Sequence, residues 1–201
     1  MNPFGFIGER VRGVHYVDRV FDAYVDINWY EVDRRSRLGT PIVLDRVVLG
    51  CLSGLPFDHP VGLEALGLDV IAVLRSLPPG VVEFTSRGVV REWTPAISLN
   101  GAIAEAASLK AGITQVGILS AFAPRGVVVK SAGHPRSQSL RYAQELGIGV
   151  ATQTRSNEKP SVVLAPAKRP VRIGTVYWRL LEAIFEHAIG SGVVCTGRTS
   201  T

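Results

Sequence analysis

Apolar and polar positions along this chain recur with two periods, and the period separates helix from strand. Residues 1–13 are glycine-rich and weakly patterned. Val17, Val20, Phe21, Tyr24 and Val25 then recur at helical spacing, with Asp18, Asp22 and Asp26 every four residues on the other side. This predicts an N-terminal helical extension over 1–38 whose acidic ridge is a solvated face. The polar run Asp33-Arg34-Arg35-Ser36-Arg37 reads as a loop. Thr40-Pro41 offers a capping hydroxyl and then Pro at a first helical position, so a helix is predicted from there to Leu52, stopping at Gly54. A short helical piece over 61–66 and a helix over 68–77 follow. Two β-rich runs, 81–85 and 89–93, flank Ser86-Arg87-Gly88 and predict a hairpin.

In the second half, Ser98 or Asn100 can cap a helix through 102–109. Residues 116–122 and 126–132 read as strands. The short linker Ala123-Pro124-Arg125 predicts that they are antiparallel neighbours. A helix over 140–146 ends at Gly147, strands follow at 148–151 and 161–165, and the polar stretch between them reads as a loop. The last strong helix is predicted over 171–188. The expected fold class is α/β (α+β mixed): a winged-helix-like module over 39–97, a small mixed-sheet α/β domain over 98–190, and a flexible tail over 191–201.

Composition narrows the class. The 201 residues are 46% hydrophobic and 19% charged, enough for a core and too little charge for disorder. No stretch approaches the ~20 apolar residues of a spanning helix, and the first ten residues lack a secretory pattern. The expectation is a cytoplasmic protein with no membrane partner. Cys51 and Cys195 make neither a disulfide framework nor a zinc site, and His15, His59, His134 and His187 have no metal-ligand spacing.

Charge changes the picture most. Arg125, Lys130, Arg136, Arg141, Arg155, Lys159, Lys168, Arg169 and Arg172 are opposed within their stretch only by Glu145 and Glu158, giving +7 in a chain of net charge +5. A basic half on a near-neutral body is the pattern of a phosphate-binding surface. Lys130 stands at the end of the apolar run Val127-Val128-Val129, where a charge must be solvated, paired or used.

Two resemblances follow from these elements. The order helix, short helix, helix, hairpin over 39–97 resembles the winged helix-turn-helix family. This implies a wing whose Arg87 and Arg91 grip phosphate. The helix over 68–77 offers only Asp69, Arg75 and Ser76 as polar groups, a poor set for reading base edges. The run Gly126-Val127-Val128-Val129-Lys130-Ser131, followed by Gln138 and Tyr142-Ala143-Gln144-Glu145-Leu146-Gly147, resembles the restriction-endonuclease-like PD-(D/E)xK fold. That resemblance implies a strand-end lysine beside Mg²⁺-holding acids. Here Val128 occupies the position of the acid two before the lysine, and Glu105 and Glu145 are the nearby candidate carboxylates.

The reading is a DNA-binding protein, regulatory or defence-related and non-catalytic in this chain. Its nucleic-acid-binding candidates are Arg87, Arg91, Arg125, Lys130, Arg136, Arg155, Lys159, Lys168, Arg169 and Arg172. No metal or other cofactor is expected under that reading. One alternative is a metal-dependent nuclease using Lys130 with Glu105 or Glu145 and Mg²⁺. The other is a structural or assembly subunit that binds an acidic protein; a homodimer fits either.

Overall fold

Val17 and Asp18 fix the start of the architecture. Both adopt left-handed φ values, 46° and 57°, the conformation of a tight two-residue hairpin turn. In the computed structural model, which describes residues 2–130, 135–155, 158–168 and 172–195, this turn joins β1 (Glu9–Tyr16) to β2 (Arg19–Ile27) as an antiparallel pair. The expected helical extension is therefore a β-hairpin. Ala23, Tyr24 and Val25 are all buried because both faces of β2 are covered, so the alternation that marks a strand is missing.

The polar run expected as a loop is instead helical. Helix α1 (Trp29–Leu38) starts where the Asn28 side chain accepts from the Glu31 N–H, and it ends at Gly39 with φ 65°. Helix α2 (Arg46–Ser53) begins at Asp45, whose carboxylate accepts from the Val47 and Val48 N–H groups, and not at Thr40-Pro41. A 3₁₀ turn at Leu63–Ala65, helix α3 (Leu68–Arg75) and the hairpin β3 (Val82–Thr85) with β4 (Gly88–Arg91) then follow in the predicted order.

Residues predicted as a capped helix form strand β5 (Ile97–Ala106). The predicted strand over 116–122 falls on the end of helix α4 (Leu109–Val116) and a 3₁₀ turn (Gly117–Leu119). Strand β6 (Arg125–Val129) pairs in parallel with both β5 and β7 (Ile148–Thr152), so it has no antiparallel neighbour before it. Helix α5 (Ser137–Glu145), strand β8 (Ser161–Leu164), antiparallel to β7, and helix α6 (Thr175–Gly190) complete the chain. The large sheet runs β1-β2-β5-β6-β7-β8, and β3-β4 is a separate small sheet. The fold is thus α/β. Among the described residues, no helix is long and apolar enough to cross a membrane.

The chain divides into two units. One combines Met1–Asp26 with Leu99–Arg172; the other combines Ile27–Ser98 with Ile173–Thr201. In the first, Ala104, Val127, Val129, Ile148 and Val150 face Leu109, Ile113 and Val116 of α4 and Ala143 of α5. On the opposite face Tyr24, Ile103, Val128 and Ala151 pack against Phe4 and Phe6. Glycines floor that face. A Cβ on Gly101 would come within 2.4 Å of the Phe6 ring, and one on Gly126 within 2.1 Å of Phe4.

The second unit is organised by a buried ion network. Arg35 donates through Nε to Glu31 (2.8 Å) and through Nη1 and Nη2 to the two oxygens of Glu182 (2.9 and 3.0 Å). The Val43 N–H also donates to Glu182 (2.9 Å), and Arg34 grips Glu31 at 2.7 Å. The Arg35 guanidinium lies over the Trp93 and Phe185 rings at 5.2 and 5.4 Å. Burial pushes the Glu182 carboxyl above its ordinary value, against the pull of Arg35.

Candidate functional site

Strand pairing in the first unit gathers four charged side chains. Arg10 on β1 stands opposite Tyr24 on β2, and Asp22 lies two residues before Tyr24 on the same face. Strand β5 neighbours β2 in the sheet and presents Glu105 on the face that carries Ile103. Strand β6 continues the ladder one step past its end, the Lys130 N–H donating to the Ala106 carbonyl at 2.9 Å. This sets Lys130 next to Glu105, and its Nζ lies 2.6 Å from Oε2.

A bulge completes the surroundings of Asp22. The β1–β2 register shifts between Val11 and Val14, with Gly13 at φ 63°. The Gly13 N–H freed from the ladder donates to Asp22 Oδ1 at 2.8 Å. Arg10 donates to Asp22 Oδ2 through Nε (3.0 Å) and Nη2, and Nη2 also reaches Glu105 Oε1 at 3.4 Å. One guanidinium is therefore shared by two carboxylates, and an ammonium holds the far oxygen of the second. The set is electrically balanced. Asp22 is 15% and Glu105 33% exposed, so the cluster opens towards water at the lysine end. An open cleft of about 610 Å³ is lined by Arg10, Arg12, Asp22, Glu105 and Gln115, among others.

Tyr24 borders the same charges. It is buried, and its hydroxyl has no hydrogen-bond partner among the described residues. Burial raises its pKa, and Arg10, Asp22, Glu105 and Arg12 also act on it, which sets the phenol among them. The Arg10 guanidinium is held charged more firmly than usual. Burial opposes its charge, but the hydrogen bond and charge of Asp22, with Glu105 behind, outweigh burial.

The residues singled out in the sequence scatter around this cluster. Lys130 and Glu105 come together. Glu145 does not join them: it sits exposed on α5, lining a separate cleft with Lys110 and Arg141 on the opposite side of the sheet. Arg125 is not on the surface. It is 2% exposed, and its Nη2 donates to the Leu146 carbonyl at 2.8 Å. Arg91 is half-buried over the Trp178 ring at 4.8 Å and does not project freely from the hairpin; burial lowers its pKa. Arg87 is exposed at the hairpin turn. Arg136, Lys159, Lys168 and Arg172 are exposed, and exposed Arg155 lies 3.7 Å from Glu158. Arg169, Ser131 and His134 lie outside the described residues.

Sequence reasoning missed Arg10, Asp22 and Tyr24 as site residues. Asp22 was visible as an acid, but the helical reading put it on a solvated ridge. The Val17-Asp18 turn is the feature that brings it beside Glu105. Among the described residues, no group of three or more His, Cys, Asp or Glu side chains could hold a metal ion. Two carboxylates nevertheless suit Mg²⁺, which commonly binds through one or two carboxylates, waters and substrate phosphate. Comparison with family models, with curated proteins and with solved structures gave no match.

Proposed function

We propose that the first unit carries a phosphodiester-cleaving site of the restriction-endonuclease-like class, acting on DNA with a divalent cation. The observation that carries this reading is the juxtaposition of Asp22 on β2, Glu105 on β5 and Lys130 just past the end of β6, three neighbouring strands of one sheet, with Lys130 Nζ 2.6 Å from Glu105. Asp22 takes the place that the sequence reading had offered to Glu145. Asp22 and Glu105 would hold the cation. A bound Mg²⁺ would polarise the attacked phosphate and lower the pKa of a water beside it. Lys130, 54% exposed, keeps its ammonium at the open end, where it can orient a phosphate oxygen or the attacking water. The exposed Arg136, Arg155, Lys159, Lys168 and Arg172 supply a sequence-independent hold on the backbone.

A second reading has its own support. Arg10 already neutralises both carboxylates, which favours DNA binding without cleavage. One experiment separates the two: incubation of supercoiled plasmid with the full chain in Mg²⁺ and in Mn²⁺, alongside a binding titration at several salt concentrations. The cleavage reading expects nicked or linear product in the wild type and none in Lys130→Ala, Asp22→Asn or Glu105→Gln. Intact plasmid in both metals refutes it. Binding whose affinity falls with salt at a log–log slope of about −0.9 per phosphate contact then leaves the second reading standing. Absence of salt-dependent binding removes that as well.

A further inference from the structure

Arg10 contacts both of the carboxylates that the cleavage-site reading gives to a divalent cation. Its guanidinium is shared between Asp22 and Glu105, while Asp22 is held from its other side by the Gly13 N–H. A third cation cannot join this balanced set without facing the charges of Arg10 and Lys130. Arg10 is the one that must leave: its guanidinium contacts both carboxylates, whereas Lys130 holds only the outer oxygen of Glu105. An independent observation also points to a ligand. The buried Tyr24 hydroxyl stands among the same charges with a proton to donate and no acceptor among the described residues. A phosphate oxygen on this face of the sheet, admitted once Arg10 moves aside, would provide that acceptor.

We propose that the Arg10 guanidinium, shared by Asp22 and Glu105 beside a Tyr24 hydroxyl without a partner among the described residues, is a resident cation that a divalent metal ion displaces, and that Arg10 and Tyr24 then donate to the nucleic-acid phosphate. This rests on the cleavage-site reading above. In the free chain Arg10 holds the two carboxylates together despite their mutual repulsion. In the loaded chain it becomes a phosphate contact. The site is thus closed to stray cations until metal and phosphate arrive together, because only the phosphate compensates Arg10 for the carboxylates it gives up. Metal and nucleic acid consequently bind with positive coupling, each raising the affinity of the other.

The test is a Mn²⁺ titration of the full chain, followed by the electron paramagnetic resonance signal of the free ion, with and without a short DNA duplex. It uses wild type, Arg10→Gln and Tyr24→Phe; thermal unfolding verifies that each is folded, and Arg10→Lys replaces Arg10→Gln if that variant is not. Without DNA, Arg10→Gln is expected to bind Mn²⁺ at least about fivefold more tightly, the lower limit for a unit charge at ~4 Å in water. If Arg10→Lys is used, DNA coupling is the deciding readout. DNA is expected to tighten Mn²⁺ binding in wild type, and to do so less in either variant. Equal or weaker Mn²⁺ binding by Arg10→Gln, or undiminished DNA coupling in the Arg10 variants, overturns the proposal while leaving the cleavage reading intact. No Mn²⁺ uptake by any variant, with or without DNA, overturns the cleavage reading and the proposal with it.

Discussion

Replacing Arg35 by Met tests the ion network of the second unit. Glu31, Arg35 and Glu182 are 3%, 4% and 0% exposed. The substitution keeps an apolar stem against Trp93 and Phe185 but removes three charge-assisted bonds to carboxylates. Glu31 retains Arg34, whereas Glu182 is left with the Val43 N–H. Breaking a buried pair from one side costs about 3–5 kcal/mol, a large part of the 5–15 kcal/mol of a typical domain. The expected loss for Arg35→Met falls in that range. Arg35→Met/Glu182→Met should recover most of it, because no buried charge is stranded at position 182. Trp29, Trp93 and Trp178 all belong to the second unit, so intrinsic fluorescence in a urea titration reads its unfolding directly. The pH dependence has a definite sign. Glu182 binds its proton more tightly in the folded chain than unfolded, so its contribution is fullest at acid pH and declines as pH rises through the folded value. Loss of Arg35 raises that value further, so the gap between variant and wild type should narrow as pH falls towards about 4, the unfolded carboxyl range. A cost below ~1 kcal/mol at neutral pH, or a double variant as unstable as the sum of the single ones, refutes this account of the network.

Two further outcomes follow from the first unit. Arg125→Met should cost about 1–3 kcal/mol by stranding the Leu146 carbonyl, yet leave DNA affinity within about twofold, since the group is not on the surface; a large loss of affinity with unchanged stability would return Arg125 to the binding face. Gly126→Ala would press a methyl group to 2.1 Å from the Phe4 ring, and should cost about 1–3 kcal/mol or displace residues 2–7; new proteolytic cleavage in that segment reports the displacement, and wild-type stability with an unchanged digest counts against the packing described.

Legibility in the sequence depended on whether local composition agreed with the tertiary environment: the valine-rich β6 and β7 were readable although buried on both faces. Helices α3, α5 and α6 and the β3–β4 hairpin were readable because their periods and turn residues agree with their environments. Strand β5 was not. Its Asn-Gly-Ala-Ile-Ala-Glu-Ala run has helix-favouring alanines, which tertiary context overrode. Small residues are required there because Gly101 lies under the Phe6 ring and Ala104 packs in the core beneath α4. The candidate site suffered from the same cause. Lys130 was conspicuous as a charge ending an apolar run, and Glu105 as an acid among alanines. That they touch, and that Asp22 joins them through Arg10, depends on parallel pairing between β5 and β6 and on one hairpin turn. Neither long-range fact leaves a local trace.

The interleaving of the two units also orders events during synthesis. Strands β1 and β2 leave the ribosome early, yet β5, the strand that β2 joins, emerges only after the whole of 27–98. That inserted segment in turn waits for α6, which buries Trp178, Leu181, Ile184 and Phe185 and supplies Glu182. The first unit has emerged in full by Arg172, whereas the second is not complete before the last helix is made. Fragments that end between residues 130 and 170 would hold nearly all of the proposed catalytic strands while leaving Arg35 without Glu182, paired to Glu31 alone. Such a nascent chain holds the strands of the Asp22–Glu105–Lys130 cluster before the helix that closes the second unit exists.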